Sequence, residues 1–306
     1  MTRRVVALAV LTLLAAGCIS SEAVPRSTGT SGATGASGAS GITPSPVPAG
    51  GLPDPDLEIP LQGSRLARVL DETFAANRVA IATWTSEGDP SAWPPPEDAV
   101  LLTLYEQRVY RVLSAHPKLV GRVLDRVSHR TAVEARANVR AGRAFYEHFS
   151  PVSEVPDFRI RPPEPADALL GYFLEAEERF GVEWEVLAAV MLVETRMGRI
   201  RSRSSAGARG PMQFLPATWE GYGLGGDIHD PHDAVLGAAN YLHESGAPAD
   251  DKAALYAYNP VNAYVTALWQ YAKTMMRFPE SYYAYYDWQV FVRTVDGDVR
   301  LSGPGL

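Results

Sequence analysis

Leu187-Ala188-Ala189-Val190-Met191-Leu192-Val193-Glu194 is a run of seven apolar residues that ends in a carboxylic acid. With Trp184 ahead of it, the run predicts a helix over 184–197 that is apolar on every face, and such a helix is buried. Glu194 stacks over Val190 and Leu187 at helical spacings of four and seven. A carboxyl in that setting favours its neutral form, so its pKa rises. A neutral acid near pH 7 is a proton donor for general acid catalysis. The competing reading is a helix-end glutamate paired with Arg196 or Arg199, or reaching water.

Outward from this run the pattern stays helical. Apolar spacing predicts helices over 166–180, 233–245, 250–258 and 261–277. Asp233 and Asp250 are the expected N-caps, and Gly198 and Gly246 the expected stops. No clear strand pattern appears, although 200–203 suits a short extended piece. Upstream, 61–88 carries Leu66, Val69, Leu70 and Phe74 at helical spacing. Further helices are expected from Glu97-Asp98, from Pro117, and over 131–149. The expected fold class is mainly α: a helical catalytic domain at 166–292 and a smaller all-helical domain at 61–150. A proline-rich connection at 151–165 joins them, and 293–306 is a tail.

The N-terminus reads as an address. Thr2-Arg3-Arg4 precedes an apolar run over 5–16, too short to span a bilayer, then Leu14-Ala15-Ala16-Gly17-Cys18. Residues 1–17 are expected to be a signal peptide. The sole cysteine, Cys18, is placed as in the lipobox of bacterial lipoproteins, where it would carry a stable two-chain anchor. Ala15 stands where leucine is usual. An ordinary secretory signal with an incidental cysteine is the alternative. Residues 18–60 are rich in Ser, Gly, Thr, Ala and Pro and read as a disordered tether.

Charge excludes some functions. The net charge of −7 argues against an electrostatic nucleic-acid binder. One cysteine leaves no intrachain disulfide and no CxxC metal site. From Glu106 to Arg143, nine basic residues face three acids, net +6, and Arg122, Arg126 and Arg130 are spaced for one helical face. That face suits an anionic lipid or wall polymer, or is simply solvated. From Asp167 to Asp287 the balance reverses, with 16 acidic against 9 basic residues.

Downstream of the acid lies a glycine-punctuated loop. The blocks Glu194-x-x-x-Gly198, Ser204-x-x-Gly207-Ala208-x-Gly210-x-Met212-Gln213-x-x-Pro216-x-Thr218 and Ala257-Tyr258-Asn259 occur in that order. Together they resemble the lytic murein transglycosylases of the lysozyme-like superfamily, SLT type, including actinobacterial lipoprotein members. The resemblance covers about 167–275.

It implies a lysozyme-like helical domain with Glu194 as the catalytic acid, acting on peptidoglycan glycan strands between N-acetylmuramic acid and N-acetylglucosamine. The product would be a 1,6-anhydro end. It also implies that Ser204, Met212, Gln213, Tyr258 and Asn259 line the glycan groove or hold the acid. Two departures stand out: Pro260-Val261 follows Asn259 where Ala-Gly is common, and Thr195 replaces a serine. A hydrolytic muramidase of goose-lysozyme type and a non-catalytic wall-binding protein are the alternatives.

No cofactor is implied. Asp227 to Asp233 holds two histidines, but Pro231 intervenes and the full run of acids of a calcium loop is missing, so no metal is assigned. The expected location is the cell envelope, lipid-anchored through Cys18, or secreted if Cys18 is unmodified. Partners in wall synthesis or division stay open. The aromatic stretch from Tyr282 to Phe291 is read as packing back on the core rather than stacking on sugars.

Overall fold

A computed structural model describes residues 51–306. The signal segment, Cys18 and most of the tether lie outside the described residues. Four helices come first: α1 (Gly63–Glu87), α2 (Glu97–Ala115), α3 (Pro117–Leu124) and α4 (His129–His148). Pro94, Pro95 and Pro96 separate α1 from α2, and Pro117 opens α3 where its missing N–H is harmless. Ser128 caps α4, its side chain accepting from the backbone N–H of Thr131. That cap starts a new helix. Arg122 therefore lies on α3, Arg126 in the turn and Arg130 on α4, and the single arginine face expected from spacing does not form.

Seven helices and a hairpin follow: α5 (Ala166–Phe180), α6 (Trp184–Thr195), α7 (Pro216–Tyr222), α8 (Pro231–Glu244), α9 (Asp251–Tyr258), α10 (Asn262–Arg277), α11 (Ser281–Tyr286), β1 (Phe291–Thr294) and β2 (Gly297–Arg300). Asp250 caps α9 as expected, accepting from Ala253 N at 3.0 Å. For α8 the cap is Asp230 rather than Asp233, because Pro231 at N1 fixes the helix start two residues earlier. The two strands pair antiparallel, Phe291 opposite Arg300, and Val152 adds a parallel bridge at Thr294. The expected tail is thus a folded hairpin, and β1 runs across the 292/293 boundary. Ile200 does form a short extended contact, an isolated antiparallel bridge to Ile160.

The helix α6 runs through the centre. Ten of its twelve residues are buried, and it packs against α5, α8, α10 and α11. The upstream helices share this core: α4 lies along α10, and one continuous set of buried side chains runs from Ile59 to Trp288. Part of the expected tether belongs to the fold as well. Ile59 is buried, and Arg108 on α2 donates to the carbonyls of Pro55 and Leu57, each at 2.8 Å. Leu57 and Ile59 supply the apolar surface that joins this end of the expected tether to the core. The C-terminal aromatics pack inward as expected: Tyr282 donates to Ala166 O at 2.7 Å and Tyr285 to Asn138 Oδ1 at 2.8 Å. Among the described residues, no helix is long and apolar enough to cross a membrane.

Candidate active site

The site begins where α6 ends. Arg196, Met197 and Gly198 all take left-handed backbone conformations, with φ of 54°, 56° and 81°. The reversal therefore starts at Arg196, two residues before the glycine expected to stop the helix, and it leaves Glu194 in the last helical turn. Glu194 is 2% exposed. Tyr264, in the first turn of α10, donates from its hydroxyl to Glu194 Oε1 at 2.8 Å. Burial pushes the Glu194 pKa up to about 8, against a smaller downward pull from the Tyr264 hydrogen bond. The acid is therefore neutral and protonated at pH 7.

The ion-pair reading of Glu194 fails on geometry. Arg196 Nη1 turns back to Leu192 O at 2.7 Å, and Arg199 Nη1 reaches Tyr286 O at 2.6 Å. Among the described residues Glu194 forms no ion pair, and no second carboxylate is close enough to shift its pKa.

The glycine loop is fastened beside it. Thr195 donates to Pro211 O at 2.6 Å and accepts from Gly198 N at 3.0 Å. Tyr258, at the end of α9, donates to Met212 O at 2.6 Å. Two hydroxyls thus hold successive carbonyls of the loop, one from the helix that carries the acid. Ser204 folds the loop on itself, its Oγ accepting from Ala208 N at 3.0 Å. Arg209 and Phe214 close a bridge, with Gly207, Gly210 and Gln213 at positive φ between or near them.

Of the residues expected to line the groove, Met212, Gln213 and Tyr258 are fully buried, Asn259 is 1% exposed and Ser204 7%. Gln213 Nε2 donates to Gly210 O at 2.9 Å, while its Oε1 is buried with no partner. Asn259 ends α9 in extended backbone, the conformation favoured before Pro260. All five are therefore packed into the loop and the end of α9 rather than presented on an open surface. Tyr264 was not legible in sequence, since a tyrosine in a helix reads as a core aromatic. Its nearness to the Tyr258-Asn259 block was the only signal.

Asp230, His232 and Asp233 cluster with ligand atoms within 4.8 Å of one another. Each has a structural task. Asp230 caps α8, Asp233 accepts from Asp227 N at 2.8 Å, and His232 Nε2 meets Glu175 Oε2 at 2.8 Å.

Residues 171–276 match the family model of the transglycosylase SLT domain. This is an SLT-type transglycosylase domain. The matched region starts in α5, contains Glu194, the loop and Tyr258, and ends in α10 with Tyr264 inside it. No curated protein and no solved structure matches the chain significantly. The SLT domain supports a peptidoglycan enzyme of lytic transglycosylase type and implies peptidoglycan binding.

Proposed function

We propose that the protein cleaves the glycosidic bond between N-acetylmuramic acid and N-acetylglucosamine and leaves a 1,6-anhydro end, with Glu194 as the only catalytic acid and base. The observation that carries this reading is a buried Glu194, its pKa raised by burial, held by Tyr264 inside an SLT domain. Its proton goes to the glycosidic oxygen as the C1–O bond breaks. The resulting carboxylate then takes the proton of the muramoyl C6 hydroxyl as O6 bonds to C1. No water enters, and Glu194 ends protonated.

Glycosidases of the usual kind need a second carboxylate a few ångströms away. No carboxylate is among the groups that shift the Glu194 pKa, which fits a reaction run by a single acid; the product distinguishes attack by the substrate's own hydroxyl from attack by water. Ser204, Met212, Gln213, Tyr258 and Asn259 act in this reading by holding the loop beside Glu194, the unpartnered Gln213 Oε1 being too deeply buried to meet a sugar directly.

Glu194→Gln keeps the shape and loses the acid. General acid–base catalysis is worth roughly 10²–10⁴-fold, and one group serves both steps here, so digestion of purified sacculi should fall at least a hundredfold. Mass spectrometry of the released muropeptides reads the rest. Anhydro ends, lighter by one water, support the lyase reading. Hydrated reducing ends identify a muramidase instead, and digestion by a folded Glu194→Gln protein removes Glu194 from the chemistry.

We also propose that the enzyme works at the cell envelope, anchored by diacylation of Cys18. Cys18→Ala should move it from the membrane fraction to the soluble fraction with its activity intact. A wild-type chain already found soluble would rule out the anchor.

A further inference from the structure

A cavity of about 620 Å³ lies between α2, α4, the segment after α4 and the β1–β2 hairpin, with Arg196, Tyr271 and Trp288 among its deepest walls. Glu194 is not one of its walls. Its size falls in the range of small-molecule sites, which are mostly apolar with a few placed polar groups. The walls fit that description. Phe145, Tyr146, Phe149, Tyr271 and Trp288 present aromatic surface.

The charged groups are all but one cationic. Arg196 is 8% exposed, makes one hydrogen bond to a backbone carbonyl, and has no carboxylate partner among the described residues. Arg293 likewise bonds only the carbonyls of Tyr146 and Phe149, with its guanidinium 4.1 Å from the centre of the Tyr146 ring. Arg111 is matched by Asp298 at 2.7 Å, the single acid in the lining. A buried cation without a counter-charge is costly, and an anion delivered from outside removes that cost. Burial, with the nearby Arg111 and Arg199, lowers the Arg196 pKa to about 10, against an upward pull from Tyr271.

We infer that this cavity is a second ligand site, taking a small monocarboxylate with an apolar body: the carboxylate meets Arg196 and the body lies among the aromatic walls. Guanidinium geometry suits a bidentate carboxylate. Neither a neutral alcohol of the same length nor a carboxylate without a body satisfies both halves of the site. The site stands apart from the glycan reaction and does not depend on it.

The probe is decanoate, with decanol and acetate as the two half-ligands, titrated calorimetrically into the full chain. Decanoate should bind one per chain, and each control at least tenfold more weakly. Arg196→Gln should weaken decanoate at least tenfold and leave decanol unchanged. A terminally brominated decanoate should quench tryptophan fluorescence, and Trp288→Phe should abolish most of that quenching. This second arm also holds if Arg196→Gln fails to fold. Decanol binding as tightly as decanoate, unchanged affinity in Arg196→Gln, or quenching that survives Trp288→Phe would each overturn the site.

Discussion

At Glu194 two effects oppose each other and burial wins. The Tyr264 hydroxyl donates to the carboxyl and so favours the charged form, yet the folded pKa still lies near 8. In the proposed reaction the acid must be protonated at the start. The rate kcat/KM should therefore be flat below about pH 7 and fall tenfold per unit once pH passes about 8, where the free enzyme loses that proton. Tyr264→Phe deletes the interaction that lowers the pKa, so the alkaline limb should move to higher pH. The plateau should drop by up to roughly tenfold as the carboxyl loses its orientation, in line with one hydrogen bond between neutral groups of about 0.5–1.5 kcal/mol. A merely structural Tyr264 would lower the melting temperature and leave the limb in place. The sequence made Glu194 legible because an acid closing an apolar run breaks the local rule. It left Tyr264 hidden because the pair is 70 residues apart and only the packing of α10 on α6 joins them.

The loop between α6 and α7 is held by backbone conformations that its glycines permit, and those glycines are not equivalent. Both Gly207 and Gly210 have positive φ. A Cβ on Gly207 meets nothing within 4 Å, whereas one on Gly210 would sit 1.8 Å from the carbonyl oxygen of Ile228. Gly207→Ala should therefore cost only the left-handed strain of about 1–2 kcal/mol. Gly210→Ala must move the backbone, which would break the Arg209–Phe214 bridge and pull Met212 from Tyr258. We expect Gly207→Ala to keep at least a third of wild-type wall digestion and Gly210→Ala to lose about a hundredfold. Equal losses in turbidity assays of cell-wall clearance would show that the close approach to Ile228 does not hold the site. Its glycines and the resemblance of its motif block to the family marked this loop as functional. It did not show that Thr195 and Tyr258 direct their hydroxyls to loop carbonyls, because donors find partners in space. A similar limit explains the cap of α8: Asp230 and Asp233 are both good caps, and Pro231 decides between them.

Across the whole molecule, the sequence suggested two helical bodies of opposite charge, basic upstream and acidic downstream. In the structure the two are joined by a few ion pairs and hydrogen bonds at their contact. Arg130 pairs with Glu280, Arg111 with Asp298, and Ser281 and Tyr285 reach Glu134 and Asn138 on α4. These partners lie 147 to 187 residues apart, beyond any local pattern. Helix α4 also covers α10, the helix that carries Tyr264. Removing 51–159 would expose that covered face of α10 and the buried partners of α11. Each large apolar side chain returned to water costs about 1.5–3 kcal/mol, so three or four of them consume a typical total stability of about 5–15 kcal/mol. The fragment 160–306 should therefore show no cooperative thermal transition by circular dichroism and no wall digestion, although it contains the entire SLT match and Glu194. The fragment 51–306, which lacks only the expected signal segment and most of the expected tether, should melt cooperatively and digest sacculi at the full-length rate. If 160–306 melts within a few degrees of 51–306 and stays active, the upstream helices are an appendage to the catalytic fold rather than part of its support.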